Sequence, residues 1–278
     1  MELNWLQSIL YGLLSGLTDV LPVSAQAHRL LILKLFGESG ESPLLRLMIH
    51  IAIFAALYYS NQNQIIRYLR ARKLAMIPKR RRQRPLDTRT LMDFRMLKTA
   101  IVPVVIAFFF YQKAEGLGSN MLIVALFLAI NGIILYVPQF LPGSNKDSRS
   151  MTPIEALLLG LGGALSILPG ISSVGTVTSI GMVCGADRSF SLNTALLLGM
   201  PITIGLIVFD IIAIAANGVG LLSFGLFLCY ILAAAAAVGG VLLAVKIMRA
   251  LAKSSGFAIF GLYSWTAALL SVILYLTI

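Results

Sequence analysis

Charge is what this chain has least of. Only 12% of its 278 residues are Asp, Glu, Lys or Arg, where a soluble domain carries about 25%. With 58% hydrophobic residues, the composition excludes an ordinary soluble domain and leaves an integral membrane protein. The alternation of polar and apolar residues that marks an outer-membrane barrel is missing as well. Cysteine is nearly absent. Cys184 and Cys229 lie in apolar stretches without metal-ligand spacing, so both read as buried thiols. Residues 1–11 lack a basic leader and an A-x-A site, so no cleavable signal peptide is expected.

What is present is a series of apolar runs long enough to cross a bilayer as helices. Residues 44–60, 99–112, 121–140, 191–216, 221–245 and 256–277 read as six spans. The formal charge of +11 is concentrated rather than spread. Twelve of the 22 basic residues fall between 61 and 98, against two acidic ones, Asp87 and Asp93. The positive-inside rule puts this basic loop in the cytoplasm. Tyr68 and Phe94 are its only aromatics, too few to serve as stacking platforms, so nucleic acid is not an expected partner. Lys146 and Arg149, then Lys246, Arg249 and Lys253, fall on the same side. Both termini are then outside, on a single polytopic domain over 1–278.

Two stretches break this pattern. Gly12 to His28 reads GLLSGLTDVLPVSAQAH and gathers Ser15, Thr18, Asp19, Ser24, Gln26 and His28 around Pro22. An Asp at membrane depth costs about 2.5–3.5 kcal/mol on insertion scales, so such a cluster is a functional-site candidate. The plainer reading is a surface loop in which Pro22 ends one helix and Ser24 caps the next. Residues 154–186 repeat the design around Pro169, with Ser166, Ser172, Ser173, Thr176 and Thr178 as hydroxyls. Gly160, Gly162 and Gly163 offer close helix packing there. Pro22 and Pro169 are 147 residues apart, about half the chain. Two interrupted apolar segments in corresponding halves, roughly 1–140 and 151–278, point to a midplane site between repeats. The expected fold is therefore all-α, with about six transmembrane helices and two re-entrant hairpins in an inverted repeat. His50 lies within the first span and reads as a bundle-facing hydrogen-bonding residue or a catalytic one.

These residues resemble the bacterial undecaprenyl-diphosphate phosphatase family, the integral-membrane bacitracin-resistance proteins. The family's first motif, EGxTEFLPVSSTGH, is similar to SGLTDVLPVSAQAH from Ser15 to His28. Its second, PGxSRSG, is similar to PGISSVG from Pro169 to Gly175. A third, EFSFLLAxP, is similar to NTALLLGMP from Asn193 to Pro201, and HIAIFAALYY from His50 resembles the first-span pattern. The resemblance covers nearly the whole chain. It implies removal of one phosphate from undecaprenyl diphosphate at the outer face of the bacterial plasma membrane, which recycles the lipid carrier for peptidoglycan. It implies Asp19, Ser24 and His28 as catalytic residues. Ser15, Gln26, Ser172, Ser173 and Thr176 would bind substrate, and Asp19 would be the ligand of a Mg²⁺ or Ca²⁺ ion. The expected partners are a polyprenyl (di)phosphate lipid, the membrane and a second copy in a homo-oligomer.

The departures from the motifs bear on the chemistry. Ser15 stands in place of the first family Glu, Asp19 of the second, and Asn193 of the later one. Ala25 replaces the second serine of the pair, Gln26–Ala27 the Thr-Gly, and Ser173 the Arg of the second motif. A hydroxyl cannot replace a bidentate guanidinium, and one carboxylate makes a weaker site for a hard cation than two. Arg29 and Lys34 are nearby cations that could supply the missing charge. Two functions remain at this point: the family's phosphatase with an altered site, or a non-catalytic polyprenyl-phosphate transporter or binder on the same fold.

Overall fold

The computed structural model describes residues 3–277 except Ser39, Gln83, 142–144, 220–221 and 253–256. Lys253 and the start of the 142–150 segment therefore lie outside the described residues. Among these residues the regular structure is helical. The helices are α1 (Trp5–Val20), α2 (Ala25–Leu35), α3 (Pro43–Met76), α4 (Thr88–Phe108), α5 (Tyr111–Gly116), α6 (Met121–Tyr136), α7 (Pro153–Leu165), α8 (Ser173–Val183), α9 (Arg188–Asn217), α10 (Phe224–Leu251) and α11 (Ala258–Thr277).

Five of them, α3, α6, α9, α10 and α11, are long and apolar enough to cross a membrane. Thr88–Phe108 and Tyr111–Ser119, bent by 63° against each other, bring the number to six where the pair is one broken span. The short helices α1–α2 and α7–α8 form the two hairpins. The expected class, an all-α membrane protein with about six spans and two interrupted hairpins, is borne out, with five to six spans. The basic segment 61–98 differs from expectation. It is not a loop throughout, because α3 continues through Arg67, Arg72 and Lys73 to Met76 and α4 begins at Thr88. Arg, Lys, Leu and Ala are good helix formers, and once clear of lipid the hydrated charges carry the helix on. Cys184 and Cys229 are free thiols, half-buried rather than buried.

Sequence signals start each hairpin arm. Asn4 and Gln7 form a capping box on α1, and Thr152 and Glu155 form one on α7 behind Pro153. Ser24 caps α2 and Ser172 caps α8. The plain reading of Ser24 as a helix cap is correct, and it holds inside the protein rather than in a surface loop.

The two halves exchange equivalent contacts. α1 lies along α10 and α7 along α4, while α3 pairs with α9 and α6 with α11. Glycines permit the close crossings. A Cβ on Gly12 or Gly16 would fall 1.9 or 2.1 Å from the carbonyl oxygens of Ala233 or Ala237. A Cβ on Gly160 would lie 2.2 Å from that of Ala100. Because α1 runs parallel to α10, whose Arg249 end bonds to Ser60 and Asn61 of α3, the first hairpin enters from the face opposite the basic segment. The second enters from the basic face, where Lys146 pairs with Ala186.

The tips meet between the faces. Ser24 Oγ accepts the Gly170 N–H at 3.1 Å, and Ser172 Oγ donates to the Leu21 carbonyl at 3.4 Å. Asn131 of α6 bridges both breaks. Its Oδ1 accepts the Ser172 N–H at 2.9 Å, and its Nδ2 donates to the Pro22 carbonyl at 3.3 Å and to Ser264 Oγ at 3.0 Å. Irregular backbone survives at membrane depth only when its polar groups are satisfied in this way. Asn131→Leu strands the Ser172 N–H and the Pro22 carbonyl, each worth about 1–3 kcal/mol when buried unpaired. A clear drop in the thermal unfolding midpoint in detergent is expected, and an unchanged midpoint would remove Asn131 from this role.

Candidate functional site

Where the tips meet, the N-termini of α2 and α8 face one small pocket of about 50 Å³. Ala25 and Gln26 line it from α2, Ser172 and Ser173 from α8, and Asp19 from the last turn of α1. The first N–H groups of a helix have no intrahelical acceptor and carry the positive end of its dipole. Two such ends at one pocket make an anion site. The backbone is specialised at this point. Ser24 has φ 64°, the positive-φ non-glycine position among the described residues, a conformation that costs about 1–3 kcal/mol and persists where the surroundings enforce it. Gly170 has φ 124°, and a Cβ there would meet Phe127 Cβ at 2.6 Å.

A larger cavity of about 580 Å³ adjoins the pocket, and Gln26, Arg29 and Tyr111 line both. It opens beside Lys34, Gly37, Gly40 and Ser119, on the face opposite the basic segment. Arg29 is 7% exposed. Its Nε lies 3.7 Å from Glu41 Oε2 and has no hydrogen-bond acceptor among the described residues. Tyr11 donates to Glu41 Oε1 at 2.6 Å, so Glu41 is divided between two partners. Arg46, at the cavity wall, donates through Nε to Asp210 Oδ1 at 2.5 Å and pairs with Glu115.

Of the residues expected from sequence, Asp19, Gln26, Ser172 and Ser173 line the inner pocket. Ser24 lies at the tip, its Oγ occupied by the N–H groups of Gly170 and Ala27. His28 turns to α11. Its Nδ1–H donates to the Ser24 carbonyl at 2.8 Å, its Nε2 meets Tyr263 Oη at 2.8 Å, and the two rings stack at 11°. Thr176 bonds inside its own hairpin, to the carbonyls of Gly162 and Ser172. Ser15 is wholly buried one turn before Asp19. Asn193 lies on the basic face with Lys246 and Arg249, away from the tips.

Sequence reading missed Asn131, Arg46, Asp210, Glu41 and Glu115. The signal was available for two of them, since Asn131 and Asp210 are the polar interruptions of long apolar helices.

Among the described residues, the side chains at the pocket offer a divalent cation few ligands. Asp19 is the one carboxylate lining the inner pocket, with a guanidinium beside it, and among the described residues no three His, Cys, Asp or Glu side chains converge. Mg²⁺ and Ca²⁺ need more oxygen ligands than this.

An undecaprenyl-diphosphatase of Methanobrevibacter smithii is 28% identical over 276 residues, 95% of each chain. Others so named, from Carboxydothermus hydrogenoformans and a Nocardioides species, are 26% and 29% identical. The first covers 95% of this chain and 94% of its own length, the second 75% of each. The model of the bacitracin resistance protein BacA family matches residues 8–270, and the chain belongs to that family.

Proposed function

We propose that the protein removes the terminal phosphate of a polyprenyl diphosphate, undecaprenyl diphosphate being the substrate for which its relatives are named, and so recycles the lipid carrier. The observation that carries this reading is the inner pocket. Two helix N-termini, the unsatisfied Nε of buried Arg29 and the carboxylate of Asp19 converge there. Phosphoryl transfer asks mainly for positioning and charge stabilisation, and this set supplies both. Arg29 takes the place of the cation missing at Ser173, reaching the pocket from the first hairpin instead of the second.

In this reading the terminal phosphate enters between the tips. Arg29, Gln26, Ser173 and the α2 and α8 N–H groups hold its oxygens. Asp19 takes a proton from the attacking water, the new P–O bond forms, and the bridging P–O bond breaks to release polyprenyl monophosphate. Ser24 and His28 act by shape. Ser24 ties the tips together, and His28 locks α2 against Tyr263. Thr176 and Ser15 support the hairpins from behind.

The pocket opens on the face opposite the basic segment, so the positive-inside rule puts it on the outer side of the plasma membrane, with both termini outside and 61–98 in the cytoplasm. Both hairpins come from one chain, so a homo-oligomer is not needed to complete the site. The names of the relatives favour hydrolysis over the non-catalytic carrier reading.

Purified protein is expected to release phosphate from undecaprenyl diphosphate. Arg29→Met should lower kcat/KM by about 10²–10³-fold, the magnitude for one lost electrostatic donor, and Arg29→Lys should fall between. Release that is absent in the wild type, or indifferent to Arg29, would contradict the reading. Equilibrium dialysis should find no stoichiometric Mg²⁺ or Ca²⁺ on the protein without substrate. Stoichiometric binding that Asp19→Asn abolishes would return the ion to the protein.

A further inference from the structure

Arg29 lines both cavities, and its counter-ion is held at a distance from it. The guanidinium is 7% exposed, and a buried charge without an opposite charge is strongly destabilising. Of the carboxylates at the two cavities, Glu41 is the one in ion-pair range among the described residues, with Oε2 3.7 Å from Nε. That distance is too long for a hydrogen bond, and Nε has no acceptor among the described residues. A guanidinium and a carboxylate free to approach close into a forked pair, with two bonds of about 2.7–2.9 Å.

Tyr11 holds the other end of the carboxylate. It is a wholly buried residue of α1, and its hydroxyl donates to Glu41 Oε1 at 2.6 Å. One carboxylate oxygen is thus committed to α1, and the other faces Arg29 without touching it. Tyr11 and Asp19 lie two turns apart on α1, so one helix supplies both the anchor of Glu41 and the carboxylate of the inner pocket. Arg46, the other guanidinium of the outer cavity, is committed elsewhere. It pairs with Glu115 and with Asp210, and Asp210 Oδ2 also takes the Nδ1 of wholly buried His50 at 2.5 Å.

A forked pair would occupy the donors that a phosphate needs. A carboxylate held at 3.7 Å balances the charge of Arg29 and leaves those donors open. It also repels the anion that Arg29 attracts. Without it, two helix N-termini and a guanidinium would hold any phosphate tightly, including the inorganic phosphate left after hydrolysis. We propose that Glu41, anchored by Tyr11, is a positioning residue that sets the phosphate affinity of Arg29 and drives the product phosphate out of the inner pocket. The inference rests on the phosphatase reading and extends it from bond cleavage to product release. Glu41 acts through Arg29 and takes no part in the chemical step.

Inorganic phosphate is the probe. Glu41→Gln keeps the side chain's shape and an acceptor for Tyr11 but removes the charge. The dissociation constant for phosphate, by isothermal titration of purified protein in detergent, should fall at least about tenfold, the lower range for close charge pairs. The KM for undecaprenyl diphosphate and the inhibition constant of phosphate should fall with it, and kcat should fall as release becomes limiting. Tyr11→Phe should act the other way, because Glu41 then closes on Arg29 and phosphate binds more weakly. That loss should vanish in a Glu41→Gln background, and the gain from Glu41→Gln should vanish with Arg29→Met, since all act through one pair. Variants that only loosen the fold would weaken binding in both cases, so the opposite signs separate a structural role from this one. A Glu41→Gln protein with the wild-type unfolding midpoint and no tighter phosphate binding would overturn the proposal. So would a Tyr11→Phe protein that binds phosphate as well as the wild type, or phosphate binding undetected in both wild type and Glu41→Gln. A wild type that binds phosphate under the control of Glu41 yet releases none from undecaprenyl diphosphate would defeat the phosphatase reading and leave Glu41 as the residue that sets the anion affinity.

Discussion

The fold depends on satisfying two breaks in helical backbone at membrane depth. Lipid offers no hydrogen bonds, so each break must be completed by protein. Here each tip is completed largely by the other and by one side chain. Ser24 takes the Gly170 N–H, Ser172 reaches the Leu21 carbonyl, and Asn131 serves both Pro22 and Ser172. The inverted arrangement of the halves brings the tips together from opposite faces. The glycine crossings of α1 on α10 and of α7 on α4 hold each hairpin at backbone contact.

The same constraint makes the site. A helix that starts inside the protein delivers its N-terminal N–H groups to a place water barely reaches, where they act at full strength on an anion. α2 and α8 both start there. Arg29 adds a formal charge to those dipoles, and its partial pairing with Glu41 at 3.7 Å leaves it able to turn to a phosphate. The Arg46–Asp210–His50 set lies just behind, and its Arg46 end lines the outer cavity. The site therefore reads as an anion pocket at the inner end, an open approach at the outer end, and buried ionisable groups beside them.

Much of this was legible in the sequence, for physical reasons. Spans of apolar residues have to be long, so the six crossings and their order could be read directly, as could the hairpins, because Pro22 and Pro169 interrupt apolar runs with clustered hydroxyls. The roles inside the site were less legible. Motif position placed His28 at the centre, but the direction of a side chain on a helix depends on the neighbouring helix, and Tyr263 is 235 residues away. The pairing of Arg46 with Asp210 spans 164 residues, and no local pattern encodes it. The helical continuation of α3 into the basic segment is less legible because a run of charge resembles a loop, although Arg and Lys favour helix.

The central claim is that Arg29 supplies, from the first hairpin, the cation that the pocket needs and that Ser173 lacks. Moving that charge across the pocket tests it most directly. Phosphate release from undecaprenyl diphosphate should be compared for Arg29→Met and for Arg29→Met combined with Ser173→Arg, both checked for intact folding. If the two tips share one phosphate site, the second guanidinium should restore activity by at least about tenfold, since each charged donor contributes in that range or above. A folded double variant no more active than Arg29→Met would show that Arg29 and Ser173 do not face the same phosphate.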